Sequence, residues 1–386
     1  MKAKFFAIAA LLLGMASCQQ DFAGVESTPN GEVSVQLSVT APELVGVTRT
    51  DGDSQANLDS AYGAIDYLDG APVGDDRWDW NNVDLRYSME VYDEGDLTTP
   101  IKDRMVIIKD KYEPVTFELR LIPGRDYRFV VFADFVADGE AAKTVDYSKQ
   151  GDLGLRHTIG TNLTQITIKQ DADDINDEIA DAYFKTFTYK PTGNSNNVND
   201  TQDVELKRPY AKLRVVATDL ADLNLNVQPA SVQVMYKSEA TVPTSFNAVT
   251  GELGTESKLD ANKIFGYPFV KDIRDNRASH VYNYGYDDDT AVADNGVERA
   301  SSLTLFTDYI LAVDDEHRPI SFEMAVFDAA GGLIKAVDFN TNIPIQRNHL
   351  TTIVGNLMTA NTEFTVTIDD NFESDIDGNS QERILL

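Results

Sequence analysis

The chain has 386 residues, with 63 Asp and Glu against 33 Lys and Arg, for a formal net charge of −30. So acidic a surface repels nucleic acid and anionic membrane, because binding either requires Lys and Arg to neutralise phosphates. The 42% hydrophobic content can build packed cores, the length suits two domains, and a lone cysteine excludes an intramolecular disulfide or a cysteine-based metal site.

Lys2 and Lys4 open the chain, Phe5 to Leu13 form an apolar run, and Gly14-Met15-Ala16-Ser17 lead to Cys18. The run is too short to span a bilayer, which takes ~20 apolar residues. Residues 1–18 read as an export signal whose removal leaves Cys18 at the new N-terminus, ready for lipid attachment. Met15 stands where such signals usually carry leucine. Residues 19–31 are polar and read as a linker. Val33, Val35, Leu37 and Val39 then alternate with polar residues, the period of a half-buried strand. Residues 42–82 lose that period and read as an exposed loop, which holds Arg49 between Thr48 and Thr50. Near its end, Trp78 and Trp80 suit a packed core better than a sugar platform.

Strands resume at Leu85 to Tyr92 and Met105 to Lys109. Val115 to Leu121 and Tyr127 to Phe135 flank Pro123-Gly124 and read as a hairpin. Leu163 to Lys169 is a further strand. Ile175, Ile179 and Tyr183 lie four apart, which predicts a short helix within Asp171 to Phe187. Val204 to Thr218 contains Pro209, so it is either an edge strand or two strands broken at a bulge. Later strands are expected at Val232 to Tyr236, Ser302 to Val313, Ile320 to Phe327, Leu333 to Phe339, Leu350 to Leu357 and Phe364 to Ile368, with Gly331-Gly332 as a hairpin turn. Many short strands and almost no helix predict an all-β protein of antiparallel β-sandwiches. A boundary near 219–228 divides it into domains 19–225 and 226–386.

Chemistry is sparse. His157, His280, His317 and His349 fall in no metalloprotease spacing, and no nucleophile elbow or phosphate loop occurs. Asp287-Asp288-Asp289 with Asp294-Asn295-Gly296, and Asp375 to Asn379, lack the full spacing of a calcium loop with its terminal Glu. The expectation is a protein that is not an enzyme and needs no cofactor or metal.

Four segments carry a family resemblance. They are Cys18 with the strand and Thr48-Arg49 loop that follow, Leu206-Lys207-Arg208-Pro209-Tyr210-Ala211-Lys212-Leu213, the stretch Asn342 to Leu357, and Phe364 to Asp369. Together they resemble the fimbrillin superfamily, the lipoprotein-derived pilins of Bacteroidales-type bacteria. The resemblance implies two transthyretin-like antiparallel β-sandwich domains in tandem. It implies a shaft, anchor or tip subunit of a surface fimbrium serving adhesion, held at the outer membrane by lipid on Cys18. Its partners would be other fimbrial subunits and a host or bacterial surface ligand. Assembly would follow cleavage by an arginine-specific protease, with Arg49 as the candidate site. The strand of Val33, Val35, Leu37 and Val39 would be released and replaced by a strand from another subunit. The acidic tail from Asp370 fits a donor strand poorly. The alternative is a monomeric surface lipoprotein that binds a glycan or a host protein on the same fold.

Overall fold

A computed structural model describes residues 32–40, 83–108, 114–137, 153–169, 181–192, 200–219, 222–223, 229–237, 242–255, 291–292, 298–299, 303–313, 316–328, 330–359, 362–369 and 382–384. The elements in the first half are β1 (Val33–Thr40), β2 (Val83–Asp93), β3 (Lys102–Ile108), β4 (Val115–Leu121), β5 (Tyr127–Ala137), β6 (His157–Ile159), β7 (Ile166–Ile168), β8 (Ala182–Tyr189) and β9 (Asp200–Glu205). They continue as β10 (Tyr210–Ala217), β11 (Pro229–Tyr236), β12 (Ser245–Asn247), β13 (Glu252–Leu253), β14 (Ala291–Val292) and β15 (Glu298–Arg299). The last are β16 (Leu303–Leu311), β17 (Arg318–Asp328), β18 (Leu333–Ile345), β19 (Leu350–Asn356), β20 (Glu363–Asp369) and β21 (Glu382–Ile384). The described residues contain no α-helix, and the protein is an all-β sandwich fold.

Two sandwiches follow each other. In the first, a sheet of order β4-β1-β9 faces one of order β3-β2-β5-β8. Val35, Leu37 and Val39 of β1 meet Leu85, Tyr87, Phe129 and Phe135 in its core. In the second, β16-β10-β19-β20-β21 faces β11-β17-β18, and Leu213, Phe306, Phe322 and Phe339 lie in its core. Most pairings are antiparallel, as alternation and short turns favour. Two are not: β1 runs parallel to β9, and β10 parallel to β19.

A small sheet of order β13-β12-β7-β6 adds a third layer. Its Leu163, Ile166 and Phe246 pack on Val130 and Phe132 of β5 and on Tyr210 and Leu311 of the second sandwich. This layer explains β5, a nearly unbroken apolar run, because both of its faces are covered. It also explains β2. Leu85, Tyr87, Met89 and Val91 face the first core, yet Asp84, Arg86, Ser88 and Glu90 on the other face are also fully buried. Alternation there separates two interiors, not interior from water.

Several expectations change. The helix expected within Asp171 to Phe187 is contradicted from Ala182 onward. There the chain is β8, with Tyr183 paired to Ala133 of β5; Asp181 just before it is not helical, and residues 171–180 lie outside the described ones. Tertiary pairing overrides a weak four-residue spacing in a segment rich in aromatic and β-branched residues. The expected β4–β5 hairpin does not form either. Pro123-Gly124 instead carries the chain across the sandwich, so β4 pairs with β1 and β5 with β2 and β8. Of the two, β4 alternates cleanly, because only one of its faces meets the core. The hairpin at Gly331 is present, with that glycine at φ +81° between β17 and β18. Of the two readings of Pro209, the break holds. β9 ends at Glu205 in the first sandwich and β10 begins at Tyr210 in the second. Pairing thus changes sandwich just before Pro209, ahead of the 219–228 stretch read as a boundary.

Candidate functional site

β1 is the middle strand of its sheet. Residues Val33 to Val39 pair antiparallel with Leu121 to Val115 of β4, and Val35 to Thr40 pair parallel with Asp200 to Glu205 of β9. The β1 pattern dictates the seat. Val35, Leu37 and Val39 are fully buried, while Ser34, Gln36, Ser38 and Thr40 lie half-buried on the opposite face. Leu37 sits directly across from Phe117, and Val39 between Val115 and Val204. At its end the Thr40 carbonyl accepts a hydrogen bond from the Leu206 amide at 2.9 Å.

β1 therefore has unlike neighbours on its two sides and a full apolar face. Burying a Val or Leu side chain contributes about 1.5–3 kcal/mol, so three give about 5–9 kcal/mol. That rivals the whole stability of a domain, about 5–15 kcal/mol. The groove between β4 and β9 has no stable empty state, because vacating it leaves apolar side chains and two rows of backbone groups without partners. Val33 packs at the rim of this core. Cys18, Arg49, Trp78 and Trp80 lie outside the described residues, as do nearly all residues of the two acidic Asp-Gly loops. Among the described residues, no group of three or more His, Cys, Asp and Glu is arranged to hold a metal ion.

Sequence reasoning missed three buried polar clusters that hold this scaffold. Arg86 on β2 donates two hydrogen bonds to Asp134 on β5, at 2.8 and 2.7 Å, with both side chains fully buried. Gly154 lies against this pair. A Cβ there would sit 2.2 Å from the His157 carbonyl and 2.8 Å from Asp134 Oδ2, so only glycine fits. His157 itself shares a 2.5 Å hydrogen bond with the Tyr210 hydroxyl, which ties the third layer to β10.

The second cluster uses the Arg208 of the Lys207-Arg208-Pro209 stretch. Arg208 Nε donates to Asp181 at 2.6 Å, and its guanidinium lies over the Tyr183 ring. The Asn342 to Leu357 stretch is β18, a turn and β19. Asn348 takes φ +57° in that turn, and Arg347 reaches back across the molecule. Arg347 donates to the carbonyls of Arg208 and Val313 at 2.7 and 3.2 Å and stacks on Phe184 at 4.6 Å. In the third cluster, Asp219 accepts hydrogen bonds from the amides of Leu357, Met358 and Thr359. The signal for all three was polar residues inside strongly apolar strands, whose partners only the fold supplies.

A family model described as a family of unknown function (DUF6562) matches residues 27–385. The chain belongs to this family. No curated protein matches it. Among solved structures it is similar to a fimbrial assembly protein from Parabacteroides distasonis, at 13% identity and a TM-score of 0.34 over 92% of this chain and 98% of that one. It is also similar to the tip fimbrial protein Mfa3 of Porphyromonas gingivalis with C-terminal truncation, at 10% identity and a TM-score of 0.42 over 88% and 99%. A third is the fimbrial anchor protein Mfa2 of the same organism, at 8% identity and a TM-score of 0.34 over 87% and 97%.

Proposed function

We propose that the chain is a structural or accessory subunit of a bacterial surface fimbrium. In this reading it is exported as an outer-membrane lipoprotein on Cys18, is not an enzyme, and is assembled by strand exchange with other fimbrial subunits. Cleavage after Arg49 detaches β1 from the rest of the chain, and an incoming strand takes its place between β4 and β9. The observation that carries the reading is the seat of β1: it is the first described strand, it lies in the middle of its sheet, and a long polar stretch of sequence holding Arg49 follows it. Exchange of an extended strand is a recognised mode of peptide recognition, and a head-to-tail contact that does not close builds a filament. The four segments that resemble fimbrillins support the same reading.

Cleavage alone does not empty the groove, given the energy held by β1. The test is digestion of the purified protein with an arginine-specific protease, read by intact mass and size-exclusion chromatography. One cut after Arg49 is expected, with the fragment retained until a competing strand peptide or a second subunit is added, and then oligomers. A cleaved protein that keeps its fragment and stays monomeric with every candidate subunit would leave the monomeric surface-lipoprotein reading in its place.

A further inference from the structure

β8 stands at the edge of its sheet, paired with β5 on one side. On the other side it has a single bridge, in which Phe184 and Lys207 exchange backbone hydrogen bonds of 2.8 and 3.2 Å. Residues of an antiparallel strand turn their amide and carbonyl to alternate sides, so Thr186 and Thr188 point outward with Phe184, away from β5. The bridge goes no further, because Glu205 pairs in the other sheet, beside Thr40 of β1. Among the described residues, nothing bonds the outward backbone of Thr186 or Thr188. Two amide–carbonyl pairs thus stand free at strand spacing, ~7 Å apart. The two faces of this edge differ. On the third-layer side a groove of about 360 Å³ opens beside Thr186, with Phe184, Val249 and Val313 in its lining. The other face carries Lys185, in line with Tyr183 and Phe187. Among the described residues the Lys185 side chain makes no hydrogen bond or ion pair, and the buried Tyr189 hydroxyl on the same face has no partner.

We propose that the free edge of β8 takes up an extended strand of a partner protein in which acidic and apolar side chains alternate. The backbone of that strand pairs with Thr186 and Thr188. Its apolar side chains enter the groove over Phe184, Val249 and Val313. Its acids fall on the opposite face, where one meets the Lys185 ammonium and the next but one accepts from the Tyr189 hydroxyl. In strand addition of this kind the main chain gives affinity and the alternate side chains give specificity. β8 and β1 belong to different sheets, so the site stands whether or not β1 is exchanged.

The experiment is fluorescence anisotropy of the intact, uncleaved protein with labelled nonapeptides of alternating Asp and Val and of alternating Asn and Val. Two further Asp–Val peptides carry N-methyl groups on the aspartate amides or on the valine amides. The Asp–Val peptide is expected to bind more tightly than the Asn–Val one, and Lys185→Gln should remove that difference. A strand bonds its neighbour through alternate residues, so one methylated peptide should lose about tenfold and the other little. Thr188→Pro should also lose about tenfold, with the melting temperature unchanged, because the amide it removes has no partner in the folded protein. Failure of the Asp–Val peptide to bind overturns the proposal. So does equal binding of both methylated peptides, or binding unchanged in Thr188→Pro. Concentration-dependent dimers of the free protein that Thr188→Pro abolishes would put a second copy on the edge and overturn it as well.

Discussion

Glu90 lies fully buried on β2, where Oε2 accepts from the Leu163 amide at 2.9 Å and from the Tyr92 hydroxyl, while Oε1 has no partner. Burial pushes its carboxyl from 4.5 up to about 7. The folded protein then keeps a proton that the unfolded chain has already released, so stability falls as pH rises from 4.5 to 7. His157 makes the opposite demand. Burial, reinforced by Arg86, Arg156 and Lys169, lowers it from 6.5 to about 3. The unfolded chain takes up that proton first, so stability falls as pH drops from 6.5 to 3. Each group is worth ~1.4 kcal/mol per pH unit inside its window. Between 4.5 and 6.5 the two oppose each other, and they flatten the profile. Glu90→Gln removes one side of this balance. Its melting temperature should exceed that of the wild type at about pH 8 and should decline as pH falls from 6.5 to 4.5. A variant profile parallel to the wild type across that range would contradict the assignment.

Among the strands, β1 is the most consequential. Leu37 is fully buried opposite Phe117, so Leu37→Ala removes transfer energy and leaves a cavity, at a cost of about 2–5 kcal/mol. Urea denaturation should read that loss. The same change should speed uptake of a labelled Val33–Thr40 peptide into the protein cut after Arg49, because the resident strand leaves more easily. Gln36 supplies the control. It lies on the opposite, half-buried face of β1, so Gln36→Ala should stay within about 0.5 kcal/mol of the wild type. If the two variants exchange at the same rate, the apolar face of β1 does not control release.

Across the molecule, the two sandwiches repeat one arrangement. β1 lies between antiparallel β4 and parallel β9, and β10 lies between antiparallel β16 and parallel β19. The difference is tethering. β10 is bound at its start by the Arg208 and Tyr210 contacts and at its end by Asp219, whereas among the described residues only the Thr40 carbonyl bond reaches past the end of β1. Arg347 joins the halves, from the β18–β19 turn to the carbonyl of Arg208 and the ring of Phe184. Arg347→Ala should cost about 2–4 kcal/mol, through two lost hydrogen bonds and a cation–π contact. Calorimetry should show the single unfolding transition broaden or split as the sandwiches uncouple. A sharp transition with an unchanged midpoint would show that the third-layer core alone couples them.

The all-β class and the place of most strands were legible along the chain, because period-two alternation and Gly or Pro turns are local signals. β1, β10, β16 to β20 and the Gly331 turn all lie where alternation places them. Pairing was not legible. β4 and β5 look like a hairpin because two strand-like apolar segments flank a Pro-Gly turn, which does not say which sheet each belongs to. Nor could β2 reveal that its Asp84, Arg86, Ser88 and Glu90 face is as dry as its apolar face, because the covering layer comes from residues 157–168 and 245–253. The same holds for Arg347, an ordinary cation along the chain that only tertiary packing brings to the Arg208 carbonyl and the Phe184 ring.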